Sequence, residues 1–150
     1  MFKPSEIRQR LQRLQDNIKA AELDALVLRT DANIGYLTGL HCELGERKAL
    51  LVVPTKGEPS LIVPRLEQEA MGAAVSVDNI LVYWEKDSKP GRNWEDLLHR
   101  QLKGLTRVGV DPKTEIEVSV ALQDYQWQVS DLVEQLRVIK SPAEIALTRR

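Results

Sequence analysis

The chain has 150 residues, 43% apolar and 29% charged, with a formal net charge of −1. That length suffices for one domain with a real core, and that mix excludes a disordered chain and a nucleic-acid binder working through a global positive field. No apolar run reaches the roughly 20 residues of a membrane-spanning helix, and no membrane or nucleic-acid partner is expected.

The opening residues Met1 to Glu6 carry no apolar signal core. The single cysteine, Cys42, rules out an internal disulfide and suits a reducing compartment, so the expected address is cytoplasmic. Ile7, Leu11, Leu14, Ile18 and Ala21 then recur at helical spacing behind Pro4 and Ser5. This predicts an amphipathic helix whose Arg8, Arg10 and Arg13 lie on a solvated outer side. Ala25 to Leu28 is an unbroken apolar run of strand length, as for a strand covered on both faces. It turns directly into a short helix, with Asp31 as the expected N-cap and Gly39 as the expected left-handed stop. A helix start above a strand end can hold a ligand or partner, or be only a tight connection, and the residues leave both open.

The segment from His41 to Arg47 reads as a polar loop. It contains His41 and Cys42, but adjacent loop positions rarely aim at each other, which argues against a nucleophile–base pair and for the lip of a partner surface. Lys48 to Val53 and Ser60 to Pro64 are expected strands around a Pro/Gly turn, hence an antiparallel hairpin. Residues 65–74 read as a helix with Leu66, Ala70 and Ala73 on its packed side, and Asn79 to Trp84 as a strand running into an exposed polar stretch. Trp94, Leu97, Leu98, Leu102 and Leu105 form a helical stripe, with His99 one position off it as a boundary residue. Arg107 to Val110 is a strand stopped by Asp111 and Pro112, Val118, Leu122 and Tyr125 suggest a helix, and Trp127 to Leu132 a weaker last strand. About six strands alternating with about five helices predict a three-layer α/β/α domain with a mixed, about six-stranded sheet.

The last stretch carries a strong helix start. Ser141 can cap, Pro142 sits at the first helical position, and Glu144 completes a capping box, while Ile145 and Leu147 begin an apolar pattern. We expect residues 1–140 to form the domain and residues 141–150 to lead into a further one; a short frayed tail is the competing reading.

Known catalytic signatures do not occur: no Gly-rich phosphate loop, no G-x-S-x-G elbow, no H-E-x-x-H and no paired-cysteine pattern. Asp24 with Asp31, or Asp111 with Glu115, would make carboxylate pairs, but 22 acidic residues make some pairs inevitable. We assign no catalytic residue and no metal ligand, and expect the chain alone to be inactive.

The helix before Asp24, the run Asp24 to Leu28 and the motif Asn33-Ile34-Gly35-Tyr36-Leu37-Thr38-Gly39 together resemble the opening of the creatinase/prolidase/aminopeptidase P family. Leu136-Arg137-Val138-Ile139-Lys140-Ser141-Pro142-Ala143-Glu144-Ile145 is similar to that family's junction, LR-x-x-K-S-x-x-E-I. The resemblance covers nearly the whole chain and implies a non-catalytic N-terminal α/β domain. A pita-bread domain would follow, holding two divalent metals such as manganese through two Asp, one His and two Glu; metal-bound hydroxide there attacks an amide, often the Xaa-Pro bond. None of those ligand positions lies in this sequence. The resemblance further implies contacts with the chain's own catalytic domain, a homodimer, and partial closure of the substrate entrance. Asn33 and Tyr36 match the family motif by position. His41 and Trp84 are the other candidates to face the entrance, although a half-buried strand-end aromatic is as good a reading of Trp84. Family members act on Xaa-Pro peptides, creatine or ectoine derivatives, and some related domains are non-enzymatic binding modules. Nothing in this domain separates these alternatives.

Overall fold

The computed structural model describes residues 2–40, 47–68, 76–85 and 88–149. Its helices are α1 (Pro4–Ala20), α2 (Asp31–Thr38), α3 (Trp94–Gln101), α4 (Ile116–Ala121), α5 (Leu132–Val138) and α6 (Pro142–Thr148). Its strands are β1 (Ala25–Leu28), β2 (Leu50–Pro54), β3 (Ser60–Pro64), β4 (Asn79–Tyr83), β5 (Arg107–Val110) and β6 (Gln126–Val129).

The six strands form one sheet in the order β4-β3-β2-β1-β5-β6. β2 is antiparallel to both neighbours, β1 and β3, while the pairs β3–β4, β1–β5 and β5–β6 are parallel. The predicted hairpin is thus the joint between two parallel segments. All four residues of β1 are buried, as its unbroken apolar run requires of a central strand. Alternation along the strand divides the core in two. Leu26 and Leu28 pack with Leu14, Ile18, Ile34, Leu37 and Val133 under α1, α2 and α5. Ala25 and Val27 pack with Leu97, Leu98, Val118 and Leu122 under α3 and α4. The three-layer expectation holds.

Several local expectations need correction. Thr30, not Asp31, is the N-cap of α2, and it makes no side-chain cap bond because its hydroxyl is used elsewhere. Arg10 faces inward at 4% exposure although its neighbours Arg8 and Arg13 are exposed, and Ala21 lies exposed just beyond the helix. Of the predicted helix 65–74, the described residues open as a 3₁₀ turn, Arg65–Glu67, and turn α-helical at Gln68, while Leu66 is 75% exposed rather than packed. The last strand ends at Val129 and Leu132 opens α5, a helix the sequence reading folded into that strand. Asp24 and Asp31 stand at opposite ends of β1, so they form no pair. At the amino end, Asp24 accepts the backbone N–H groups of Thr106 and Arg107, both at 2.9 Å, and so pins β5 beside β1. Among the described residues no helix is long and apolar enough to cross a membrane.

Candidate functional site

Five strands point the same way, so the carboxyl ends of β1, β3, β4, β5 and β6 share one edge of the sheet. Ligands of open α/β sheets gather at such an edge. Its centre here is Asp111, the residue after β5, only 1% exposed. Asp111 Oδ2 accepts from the N–H groups of Arg29 and Thr30 at 3.0 and 2.9 Å and from the Thr30 hydroxyl at 2.8 Å. Its Oδ1 accepts from the Thr114 hydroxyl. A buried carboxylate is tolerated only when its lone pairs are met by donors, and these donors belong to the turn that starts α2. Beside it, Arg29 forks onto Glu115, with Nε and Nη2 each 2.9 Å from one carboxylate oxygen.

The motif from Asn33 to Gly39 can now be read residue by residue. Asn33 is fully buried; its Nδ2 donates to Glu134 Oε1 at 2.6 Å and, at 3.4 Å, to Asp111 Oδ2, while Arg137 Nη1 donates to its Oδ1 at 3.1 Å. Ile34 and Leu37 fill the core. A Cβ on Gly35 would stand 2.8 Å from the Leu40 carbonyl oxygen, so only glycine lets the chain double back there. Thr38 donates its hydroxyl to the Ile34 carbonyl at 2.7 Å and accepts from the Leu40 N–H at 3.1 Å. Gly39 closes the helix at φ 78°, the left-handed stop expected of it.

Tyr36 completes the motif. Its hydroxyl donates to the Leu136 carbonyl at 3.4 Å, its carbonyl accepts from Arg10 Nη1 at 2.7 Å, and its ring lies 4.1 Å from the Arg10 guanidinium carbon. Burial pushes the Tyr36 hydroxyl above the ordinary phenol range; the nearby Glu144 charge adds to this and Arg10 opposes it. Arg10 is stacked on Phe2 as well, at 4.0 Å, and its Nη2 reaches Glu6 and Glu144 at 3.2 and 3.3 Å. The Ser141 hydroxyl donates to Glu6 at 2.6 Å and caps α6 through the expected capping box with Glu144. The two stretches of sequence that carry the resemblance therefore touch. Asn33 and Tyr36 hold Glu134, Leu136 and Arg137, while Arg10 and Glu6 hold Ser141 and Glu144.

This chemistry is structural. Every carboxylate of the cluster is engaged by a backbone N–H, an amide or a guanidinium, and among the described residues no group of three or more His, Cys, Asp or Glu is placed to hold a metal ion. A divalent-metal site does not fit these residues. The sequence does not show that Arg29, Asp111, Glu134 and Arg137 are the partners of this motif. Arg137 carries a signal as the Arg of the junction stretch and Asp111 as a residue that stops a strand, whereas Arg29 and Glu134 carry none beyond being polar.

Trp84 lies elsewhere on the same edge, one residue beyond β4. Its ring is half-buried, 3.8 Å from the Arg65 guanidinium carbon and 4.1 Å from Lys89 Nζ. It lines a recess of about 230 Å³ with Tyr83, Pro64, Leu66 and Arg47, and Glu85 and Ser88 at its rim. Burial also raises the Tyr83 hydroxyl above the phenol range, against the Lys48 N–H bonded to it. The structure does not bring Trp84 together with Asn33, which is enclosed under α5. His99 is a boundary residue as expected, exposed with Nε2 2.7 Å from the Ala121 carbonyl. His41 and Cys42 lie outside the described residues.

The Creatinase/Prolidase N-terminal domain model matches residues 10–139. The chain is 28% identical over 136 residues to an uncharacterized peptidase of Staphylococcus epidermidis, covering 91% of this chain and 38% of that protein. It thus spans about two fifths of the length of the curated relatives it matches. Among solved structures it resembles the dipeptidase PepE from Mycobacterium ulcerans, with 22% identity and a TM-score of 0.79 over 97% of this chain and 40% of that one. It also resembles a proline dipeptidase from Streptococcus pneumoniae, with 26% identity and a TM-score of 0.68 over 87% of this chain and 98% of that one. The chain belongs to the creatinase/prolidase N-terminal domain family.

Proposed function

We propose that this chain is the non-catalytic N-terminal domain of a dinuclear-metal Xaa-Pro peptidase, a dipeptidase or aminopeptidase. It orients the catalytic domain that follows, contributes to a homodimer and helps close the substrate entrance. The observation that carries this reading is the contact between the two motifs. Asn33, Tyr36, Arg10 and Glu6 are all spent on fixing α5 and the start of α6, which is what a supporting lobe needs if its task is to aim the segment beyond. Peptidases and proline dipeptidases among the relatives support it. The metal pair, such as manganese, and its five ligands then belong to the following domain. Of the entrance residues, Trp84 and His41 would border the opening, while Asn33 and Tyr36 act from behind by positioning the exit helix.

The test is the coding sequence past Arg150 and the activity of the full-length protein. We expect two Asp, one His and two Glu within roughly one further domain length, and manganese-dependent cleavage of Xaa-Pro dipeptides. Absence of those five ligands would remove the proposal. Light scattering on the full-length protein is expected to give a dimer or larger assembly, and a monomer would remove the dimer part alone.

A further inference from the structure

The recess at Trp84 has a charge pattern that its role as an entrance wall does not account for. Two cations, Arg65 and Lys89, are held within about 4 Å of one indole centroid. Each is attracted to the ring, but two like charges sharing one ring repel each other. Neither forms an ion pair with another described residue. The contrast is local: Arg47, on the same recess, is matched by Glu67 at 3.1 Å, and Arg29 and Arg10 each have carboxylate partners. Glu85 lies at the rim of the recess, exposed, and does not pair with either cation.

A guanidinium stacked on a ring leaves its in-plane N–H groups free, and those edges match the two oxygens of a carboxylate. Below them the recess is apolar, with Pro64, Leu66 and the Trp84 ring. Leu66, at 75% exposure, is a large apolar side chain left open beside the cations. A small cavity of about 230 Å³ with an aromatic wall, an apolar floor and two cations that pair with no carboxylate among the described residues suits a short peptide carrying a carboxylate. The location, at the carboxyl ends of β3 and β4, is where this kind of sheet holds ligands.

We propose that Arg65, Lys89 and Trp84 form a carboxylate-binding subsite that recognises an anionic peptide, through its C-terminus or through an Asp or Glu side chain. The inference rests on the entrance reading for its biological use, but not for its chemistry. It therefore makes the recess a specificity device: peptides with a carboxylate in reach are held, and neutral ones are not.

The experiment uses the 150-residue chain itself; the Streptococcus pneumoniae chain, 98% covered by this one, shows that such a domain folds at this length. The indole N–H of Trp84, one of three tryptophans, is followed by nitrogen-15 NMR. Three probes separate the sources: N-acetyl-Ala-Pro carries only a C-terminal carboxylate, N-acetyl-Glu-Pro-amide only a side-chain carboxylate, and N-acetyl-Ala-Pro-amide neither. At least one charged probe is expected to shift the Trp84 signal saturably, with a dissociation constant on the order of 1–10 mM, while the neutral probe does not. Both changed positions are exposed, so Arg65→Gln with Lys89→Gln is expected to keep the fold and weaken the charged probe roughly fivefold or more. Equal shifts from charged and neutral probes, no saturable shift from either charged probe, or binding untouched by the double substitution would each overturn the proposal. None of these outcomes bears on the peptidase reading, which stands or falls on the residues beyond Arg150.

Discussion

Two polar clusters sit on the same edge of the sheet and are built on opposite principles. Around Asp111 and Asn33 the polar atoms are buried and almost all matched, each carboxylate paired with a backbone N–H, an amide or a guanidinium. The exceptions among the described residues are Glu134 Oε2 and, in the adjoining stack on Tyr36, Arg10 Nε, both buried without a hydrogen-bond partner. Around Trp84 the polar groups are solvated at the rim, and two cations share a ring without a described counter-charge. A closed network gives rigidity, and its cost when broken is high because unmet groups remain buried. An open one contributes little to stability and keeps its capacity to bind. The first cluster is therefore read as architecture and the second as a site.

Breaking the closed cluster should have the largest effect. Asp111→Ala strands the buried N–H groups of Arg29 and Thr30 and the hydroxyls of Thr30 and Thr114. We expect a loss of about 3 kcal/mol or more in urea unfolding, with Asp111→Asn retaining part of it because one acceptor survives. Next comes Gly35→Ala. The added methyl would meet backbone, not a movable side-chain end, so the turn at Leu40 must shift at about 1–3 kcal/mol. Arg10→Met should cost about 1–2 kcal/mol globally, since methionine fills the stack between Phe2 and Tyr36 but drops the bonds to Glu6 and Glu144. Its distinctive signature is local: amide exchange in Pro142–Thr148 should accelerate while β1 stays protected.

These substitutions also mark how far the sequence could be read. Strands β1, β3 and β5, the hairpin, the Gly39 stop and the Ser141 capping box follow from local rules that act within a few residues, and the structure has them at the expected places. The same rules put Arg10 outside, because periodicity alone cannot see two rings and two carboxylates arriving from residues 2, 6, 36 and 144. They also made Asp31 the N-cap, since nothing local indicates that Asp111, some eighty positions away, would organise that turn. The α5 helix was hidden for a related reason: it is seven residues long, and its apolar side, Leu132, Val133 and Leu136, begins only three residues after β6, so the first of these reads as a continuation of the strand. Of the site, the motif positions Asn33 and Tyr36 were legible through family resemblance, whereas their partners Glu134 and Arg137 required the fold.

A smaller effect belongs to pH. Backbone N–H groups of Arg107 and Thr106 hold the Asp24 carboxyl below its usual range, against a slight desolvation. A depressed folded pKa contributes stability that is complete above the unfolded value, about 3.9, and is lost as pH falls through the folded one. Asp24→Asn should accordingly lower the melting temperature slightly at pH values above about 4, where the carboxylate's contribution is present, and converge with the parent protein as pH falls below that, which flattens the acid limb. An unchanged acid limb would show that Asp24 adds nothing measurable at the start of β1.

The smallest effect should fall on the open cluster, and it sharpens the contrast most. Replacing both Arg65 and Lys89 by Gln removes two exposed cations that stack on Trp84 but satisfy no buried group. The lost cation–π attraction and the relieved repulsion act in opposite directions, so unfolding free energy should move by no more than about 0.5 kcal/mol. A destabilisation as large as that of Arg10→Met would mean that the two cations brace the end of β4, and the recess would then belong with Asp111 as architecture. A null result on stability, combined with lost carboxylate binding, separates holding a fold together from holding a ligand within one sheet edge.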